Sequence, residues 1–239
     1  MRIGLLVAAG LVVASVTACS GLSVSDDGTV TLQEGDETVS VLQNTTTDSA
    51  TLDGSATTVK VDSRAGFVRL RSGGAPGKIG VERELHYRGS KPDGTWHRLT
   101  GQTLDLNGSC GTSCIVSYTI TLPGRPAVTG KMGAGEFDAN QTGPIDLTMS
   151  AGRIAVADAA GPVKATTTVG EVDITMTAPA DASVKTQAGS ISLSVPGTDY
   201  AVTTKTTVGV RHGSLPDRSS GAHRIDLTSN VGEVRLDSH

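Results

Sequence analysis

The chain has 239 residues, with 20 Lys plus Arg against 24 Asp plus Glu and a formal charge of −4; 37% of it is apolar and 3% aromatic. This mild acidic balance, without any Lys/Arg cluster, argues against a dedicated nucleic-acid binder. The apolar fraction argues against a wholly disordered chain, and 30 glycines without a three-residue period exclude collagen.

Residues 1–18 read as an export signal. Arg2 is followed by the uncharged run 3–18, IGLLVAAGLVVASVTA, which falls short of the roughly 20 residues needed to cross a bilayer core. The run ends in Val16-Thr17-Ala18-Cys19, followed by Ser20 and Gly21. That tetrapeptide resembles the bacterial lipoprotein box. The resemblance implies that Cys19 receives a thioether-linked diacylglycerol and becomes the first residue of the mature chain. Two or three acyl chains hold a protein stably on a membrane where one gives only marginal binding. Residues 19–28 then read as a lipidated polar tether, reaching at most about 30 Å. Residues 29–239 read as a single β-repeat domain, facing outside the cell.

Period-two alternation marks this domain as all-β, with no apolar run at helical spacing. An antiparallel hairpin region comes first. Ile79, Val81, Leu85 and Tyr87 alternate with Glu82, Glu84 and His86, although Arg83 breaks the apolar register, and Ser90-Lys91-Pro92-Asp93-Gly94 supplies a turn. Val116, Tyr118, Ile120 and Leu122 alternate with Ser117, Thr119 and Thr121 until Pro123-Gly124 stops them. Between these runs lie Cys110 and Cys114. An even pair in an exported chain favours a disulfide, since the C-x-x-x-C spacing is not that of a redox pair and no second Cys/His pair completes a zinc site.

From residue 128 to 236 the chain repeats itself. Ala or Val, then Gly, then alternating apolar residues recur as AGEFDA (134–139), AGRIAV (151–156), VGEVDI (169–174), AGSISL (188–193) and VGEVRL (231–236), with a degenerate copy at Val208-Gly209 and an isolated earlier one, AGFVRL, at 65–70. The glycines at 135, 152, 170, 189, 209 and 232 lie 17 to 23 residues apart. Around Gly170 the inward parity switches, from odd positions 163, 165 and 169 to even positions 172, 174 and 176. A bend at a residue without Cβ lets the chain turn while its apolar side chains keep pointing inward. The expected architecture is a parallel β-solenoid. The alternative is a β-sandwich or meander in which Gly-x forms type II′ hairpin turns.

These AG/VG repeats, VERELHYRGSKP at 81–92 and the cysteine pair followed by VSYTITLP at 116–123 make residues 62–236 similar to a bacterial family of adhesin candidates. That family consists of β-strand-repeat domains of unknown function, often carried by lipoproteins. The resemblance implies an extracytoplasmic repeat domain and transfers no catalytic residue. Val210-Arg211-His212-Gly213 departs from the pattern and leaves the last coil in question.

No motif for nucleophilic, phosphate-binding or zinc chemistry is present. The histidines at 86, 97, 212, 223 and 239 are scattered. Glu171, Asp173, Asp226 and Glu233 fall at outward positions but lack the pattern of a calcium-binding β-roll, so no metal and no cofactor is expected. Trp96, near Arg88, Lys91 and Arg98, marks the place to look for a ligand surface, because aromatics stack on sugars and cations meet anionic polymers. Trp96 and Tyr118 otherwise plug the end of the solenoid. The sequence therefore reads as a non-catalytic protein held on the membrane by its lipid, presenting a surface to an envelope polysaccharide or protein. The alternative is a glycan-acting β-helix lyase or hydrolase, which would need two carboxylates at roughly 5 to 9.5 Å or a base beside clustered carboxylates.

Overall fold

The structure is a computed structural model that describes Leu42 and residues 44–239, apart from Thr95 and Thr112, together with the backbone of three short strands nearer the N-terminus. These strands, β1 (Leu22–Val24), β2 (Val30–Glu34) and β3 (Glu37–Ser40), form a three-stranded antiparallel sheet. The signal segment and Cys19 lie outside the described residues. Within the expected tether, Leu22–Val24 pairs with Val30–Leu32.

The other strands form one mixed sheet of fifteen. In chain order they are β4 (Asn44–Asp53), β5 (Thr58–Ser72), β6 (Lys78–Tyr87), β7 (His97–Thr100), β8 (Thr103–Asn107), β9 (Cys114–Leu122), β10 (Ala127–Thr142), β11 (Ile145–Ala159), β12 (Val163–Met176), β13 (Ala182–Ala188), β14 (Ile191–Val195), β15 (Tyr200–Val208), β16 (Arg211–His212), β17 (His223–Val231) and β18 (Val234–Ser238). No helix occurs among the described residues.

The repeats pair in parallel and in register. β5, β10, β11 and β12 run through their glycines as single bent strands, while the pairs β13–β14, β17–β18 and β15–β16 break at theirs. Each repeat is thus a rung with two arms. Gly66, Gly135, Gly152 and Gly170 are direct partners from rung to rung. The glycines therefore sit at bends inside paired strands and not at hairpin tips. The sheet does not close on itself.

Two physical constraints hold these positions. Gly135, Gly152 and Gly170 have φ of 125°, 129° and 145°, which side chains resist. A Cβ on Gly152 would also lie 1.8 Å from the Gly135 carbonyl oxygen, and one on Gly170 1.7 Å from that of Gly152. The missing side chain is what lets neighbouring bends stack.

The core lies between the two arms. Val59, Val128, Ile145, Val163, Ala182 and Ile225 align before the bend, and Val68, Phe137, Ile154, Val172, Ile191 and Val234 after it; all are buried. The parity switch around Gly170 differs in one residue from expectation. Thr167, not Val169, is the last inward residue, and Val169 is 54% exposed. The bend occupies residues 168–171, so the side chain just before the glycine already points out. Inward hydroxyls serve carbonyls that the bend leaves free: Thr167 Oγ1 donates to the Val169 carbonyl at 3.3 Å, and Ser229 Oγ to that of Gly189 at 3.1 Å.

Rung order departs from chain order at the C-terminal end. β17–β18 pairs with β13–β14 on one side and β15–β16 on the other, so the last segment of the chain lies inside the last rung. The segment 200–212 is that outermost rung, despite its departure from the repeat pattern. Two of its inward positions are polar where the rung beneath is apolar, Thr204 aligning with Leu227 and Arg211 with Val234, while Tyr200 and Val202 remain buried. Leu215, in the segment that follows, is buried against the core at this end.

At the other end β5 is followed by β8 and then β7 on the first arm, and by β9, β6 and β4 on the second. β6 runs antiparallel to both β9 and β4. Antiparallel pairing is present here as expected, but among the described residues of this end only β7 and β8 form a hairpin; β4, β6 and β9 pair across longer connections.

Candidate functional site

The antiparallel end brings three residues into line across β4, β6 and β9: Asp48 pairs in register with Arg83, and Arg83 with Tyr118. Arg83 occupies an inward position between buried Val81 and Leu85, with its side chain 11% exposed. An unpaired guanidinium there would be costly. It is hydrogen-bonded to Asp48, which also receives Lys91 at 3.0 Å. Arg83 and Lys91 hold the Asp48 carboxyl below the usual carboxylate range.

Trp96 lies on the segment entering β7, 8% exposed, with the Arg83 guanidinium 5.9 Å from its ring centroid. Tyr118 is fully buried, and its hydroxyl reaches two carbonyls, that of Trp96 at 2.7 Å and that of Asn107 at 2.8 Å. The Asn107 amide donates to the Trp96 carbonyl at 2.7 Å. Burial pushes the Tyr118 phenol well above its ordinary range. Burial, with Arg83 nearby, lowers the His97 imidazole so that it is held neutral. These groups close the end of the core.

Of the residues expected at a ligand surface, Trp96 faces the core and presents no open face for a sugar. Arg88, Lys91 and Arg98 are exposed. Arg88 follows β6, its amide bonded to the Ser113 carbonyl at 3.0 Å, and Arg98 stands on β7 opposite Asp105. Lys91 is drawn to Asp48. Sequence reasoning missed Asp48, which lies 35 residues from Arg83 and has no local signal; only the pairing of β4 with β6 joins them.

Cys110 and Cys114 are joined by a disulfide across the loop before β9, with Cα atoms 5.7 Å apart. The outward carboxylates do not converge. Glu171 and Asp173 face Arg153 at 3.6 and 3.4 Å, Asp226 is gripped by Arg224 at 2.7 Å, and Glu233 lies 3.5 Å from His212. Among the described residues no group of three or more His, Cys, Asp or Glu side chains is placed to hold a metal ion. No described helix is long and apolar enough to cross a membrane.

No protein-family model and no curated protein matches the sequence. Among solved structures, the chain is similar to a candidate cell adhesion protein from Clostridium sporogenes ATCC 15579, at 12% identity and a TM-score of 0.49 over 82% of this chain and 100% of that one. It is also similar to a candidate adhesin from Bacteroides fragilis NCTC 9343, at 10% identity and a TM-score of 0.31 over 80% and 97% of the two chains. A third, a candidate adhesin from Parabacteroides merdae ATCC 43184, shows 11% identity and a TM-score of 0.29 over 83% and 98%.

Proposed function

We propose that this chain is a lipid-anchored, extracytoplasmic β-solenoid that displays a binding surface to components of the cell envelope and carries out no catalysis. The observation that carries the reading is the stack itself. Seven rungs from β5 to β16 set their outward side chains in two series, before and after the bend, and a polar surface repeated at rung spacing is suited to binding an extended partner without special chemistry. Support for the anchor comes from the sequence around Cys19, and support for an oxidising compartment from the Cys110–Cys114 bridge. The resemblance to adhesin-candidate repeat domains points the same way. In this reading the antiparallel end, with Arg88, Lys91 and Arg98 exposed around a plugged core, is a second place where an anionic partner can dock.

Fractionation of cells producing the wild type and Cys19→Ala tests the anchor. The wild type is expected in the membrane fraction as a processed, acylated chain, and Cys19→Ala unprocessed or released; a variant that is processed normally and stays membrane-bound overturns it. Crosslinking in intact cells followed by identification of the captured material tests the display. An envelope polymer or surface protein is the expected partner, and capture of cytoplasmic components alone contradicts it.

A further inference from the structure

The charges of the stack are sorted between its two outer faces. Five of the seven lysines, Lys60, Lys131, Lys164, Lys185 and Lys205, project from the first arms, the strands before the bend. Arg64 and Arg224 join them, against the carboxylates of Asp62, Asp146, Asp181 and Asp226, so this face is net positive on a chain that is net negative. The second arms carry more carboxylates than cations, and most of their cations are engaged, as in Arg71–Asp138 at 2.6 Å, Arg153–Asp173 at 3.4 Å and Arg235–Asp237 at 2.6 Å, with Arg69 over the Phe67 ring.

On the positive face, Lys131 and Lys164 lie near Asp62 and Asp146. Lys185 and Lys205 have no carboxylate within ion-pairing distance among the described residues, and both are exposed. They stand in one line across three strands, Lys185–Thr228–Lys205, which places their backbones two strand spacings, about 9.5 Å, apart. Threonines fill much of the rest of this face, including Thr148, Thr166 and Thr168. An open groove of about 460 Å³ crosses the entry end of the same arms over five rungs. Its charged lining is Asp146, Asp181 and Asp226 against Lys164 and Arg224, so the groove itself is slightly acidic, and Lys185 and Lys205 lie outside it.

We infer that this first-arm face binds an acidic polysaccharide lying across the strands, along the axis of the stack. Unpaired ammonium groups meet carboxylates or phosphates repeated along the polymer, and rows of hydroxyls meet its sugar hydroxyls, so the polymer runs beside the acidic groove and not in it. Charge complementarity selects an anionic polymer over a neutral one. A lipid surface fits less well, because the exposed large apolar side chains, Val169, Val208, Val210 and Val231, are confined to the line of the bends and the outward positions of the arms before it are polar or small.

The inference deepens the envelope-display reading and rests on it for its setting, but its test needs only the purified protein. The full chain, extracted in non-ionic detergent, is titrated with polygalacturonate, with uncharged dextran and with vesicles containing phosphatidylglycerol. Binding of polygalacturonate but not dextran is expected at about 50 mM salt and its loss at about 500 mM. The double variant Lys185→Gln/Lys205→Gln is expected to bind about five-fold more weakly, with an unchanged unfolding curve because both side chains are exposed. Arg153→Gln/Arg235→Gln, on the opposite face, is expected to bind as the wild type does. Failure of the wild type to bind polygalacturonate, equal affinity in the lysine variant, or preferential binding of the vesicles would overturn the inference. None of these results would move Cys19-dependent anchoring or intact-cell crosslinking, which test the broader reading separately.

Discussion

At Gly170 the backbone does something no other residue could do at that place. Its φ of 145° and the Gly152 carbonyl oxygen, 1.7 Å from where a Cβ would sit, exclude a side chain twice over. Gly170→Ala is therefore expected to destabilise the fold by about 3 kcal/mol or more, read from urea unfolding; a loss near that of an exposed-strand substitution would mean that the bends do not stack. Asp48 makes a pH-dependent prediction. Its folded pKa lies below the unfolded value of about 3.9, so its contribution is fully present above that pH and is lost as pH falls through the folded pKa. Asp48→Asn should thus be less stable than wild type at neutral pH, the gap closing under acid; a gap independent of pH would detach Asp48 from Arg83. Tyr118→Phe removes one buried donor shared by two carbonyls and should cost about 1 kcal/mol.

Individual strands were legible where both faces obey period two. The run 116–122 is buried at Val116, Tyr118, Ile120 and Leu122 as its alternation predicts, with Ser117 the one interleaved residue also buried, because its hydroxyl accepts from the Phe67 amide at 3.1 Å. Arg83 looked like an error in an otherwise apolar register. It is instead an inward guanidinium whose counter-charge arrives from β4, a pairing between distant segments that no local pattern carries. The same limit explains Val169. Alternation locates a change of parity but not the width of the bend, and four residues turn there. The Cys110–Cys114 loop is short, and its closure should contribute roughly 2 kcal/mol. Cys110→Ser/Cys114→Ser is expected to lower stability by that amount in unfolding measurements, and the native pair to resist thiol reagents; ready labelling of both sulfurs without reductant would contradict the bridge.

On the scale of the whole molecule, the glycine spacing foretold stacked strands but not their order. Nothing in the repeat motif says that residues 223–238 enter between the rungs that begin at 182 and 200, because VGEVRL matches either neighbour equally well. What decides the order is the end of the stack. The outermost rung can carry Thr204 and Arg211 opposite Leu227 and Val234 because the segment after it folds back over the end, Leu215 being buried there, Arg211 bonding the Leu215 carbonyl and Arg218 bridging Val202. The sorting of lysines onto one face was equally hidden, since it emerges only when residues 17 to 69 positions apart are brought into register. The most direct measurement of this architecture is a pulsed dipolar distance between spin labels on outward positions of one line of the first arms, in a Cys19→Ser background with the disulfide intact, so that only the introduced thiols react. Lys131→Cys with Thr228→Cys spans four rung spacings, about 19 Å, and Lys131→Cys with Lys205→Cys five, about 24 Å. The account predicts those distances with the Thr228 pair the shorter; a shorter Lys205 pair, or distances that do not rise with rung number, would contradict it.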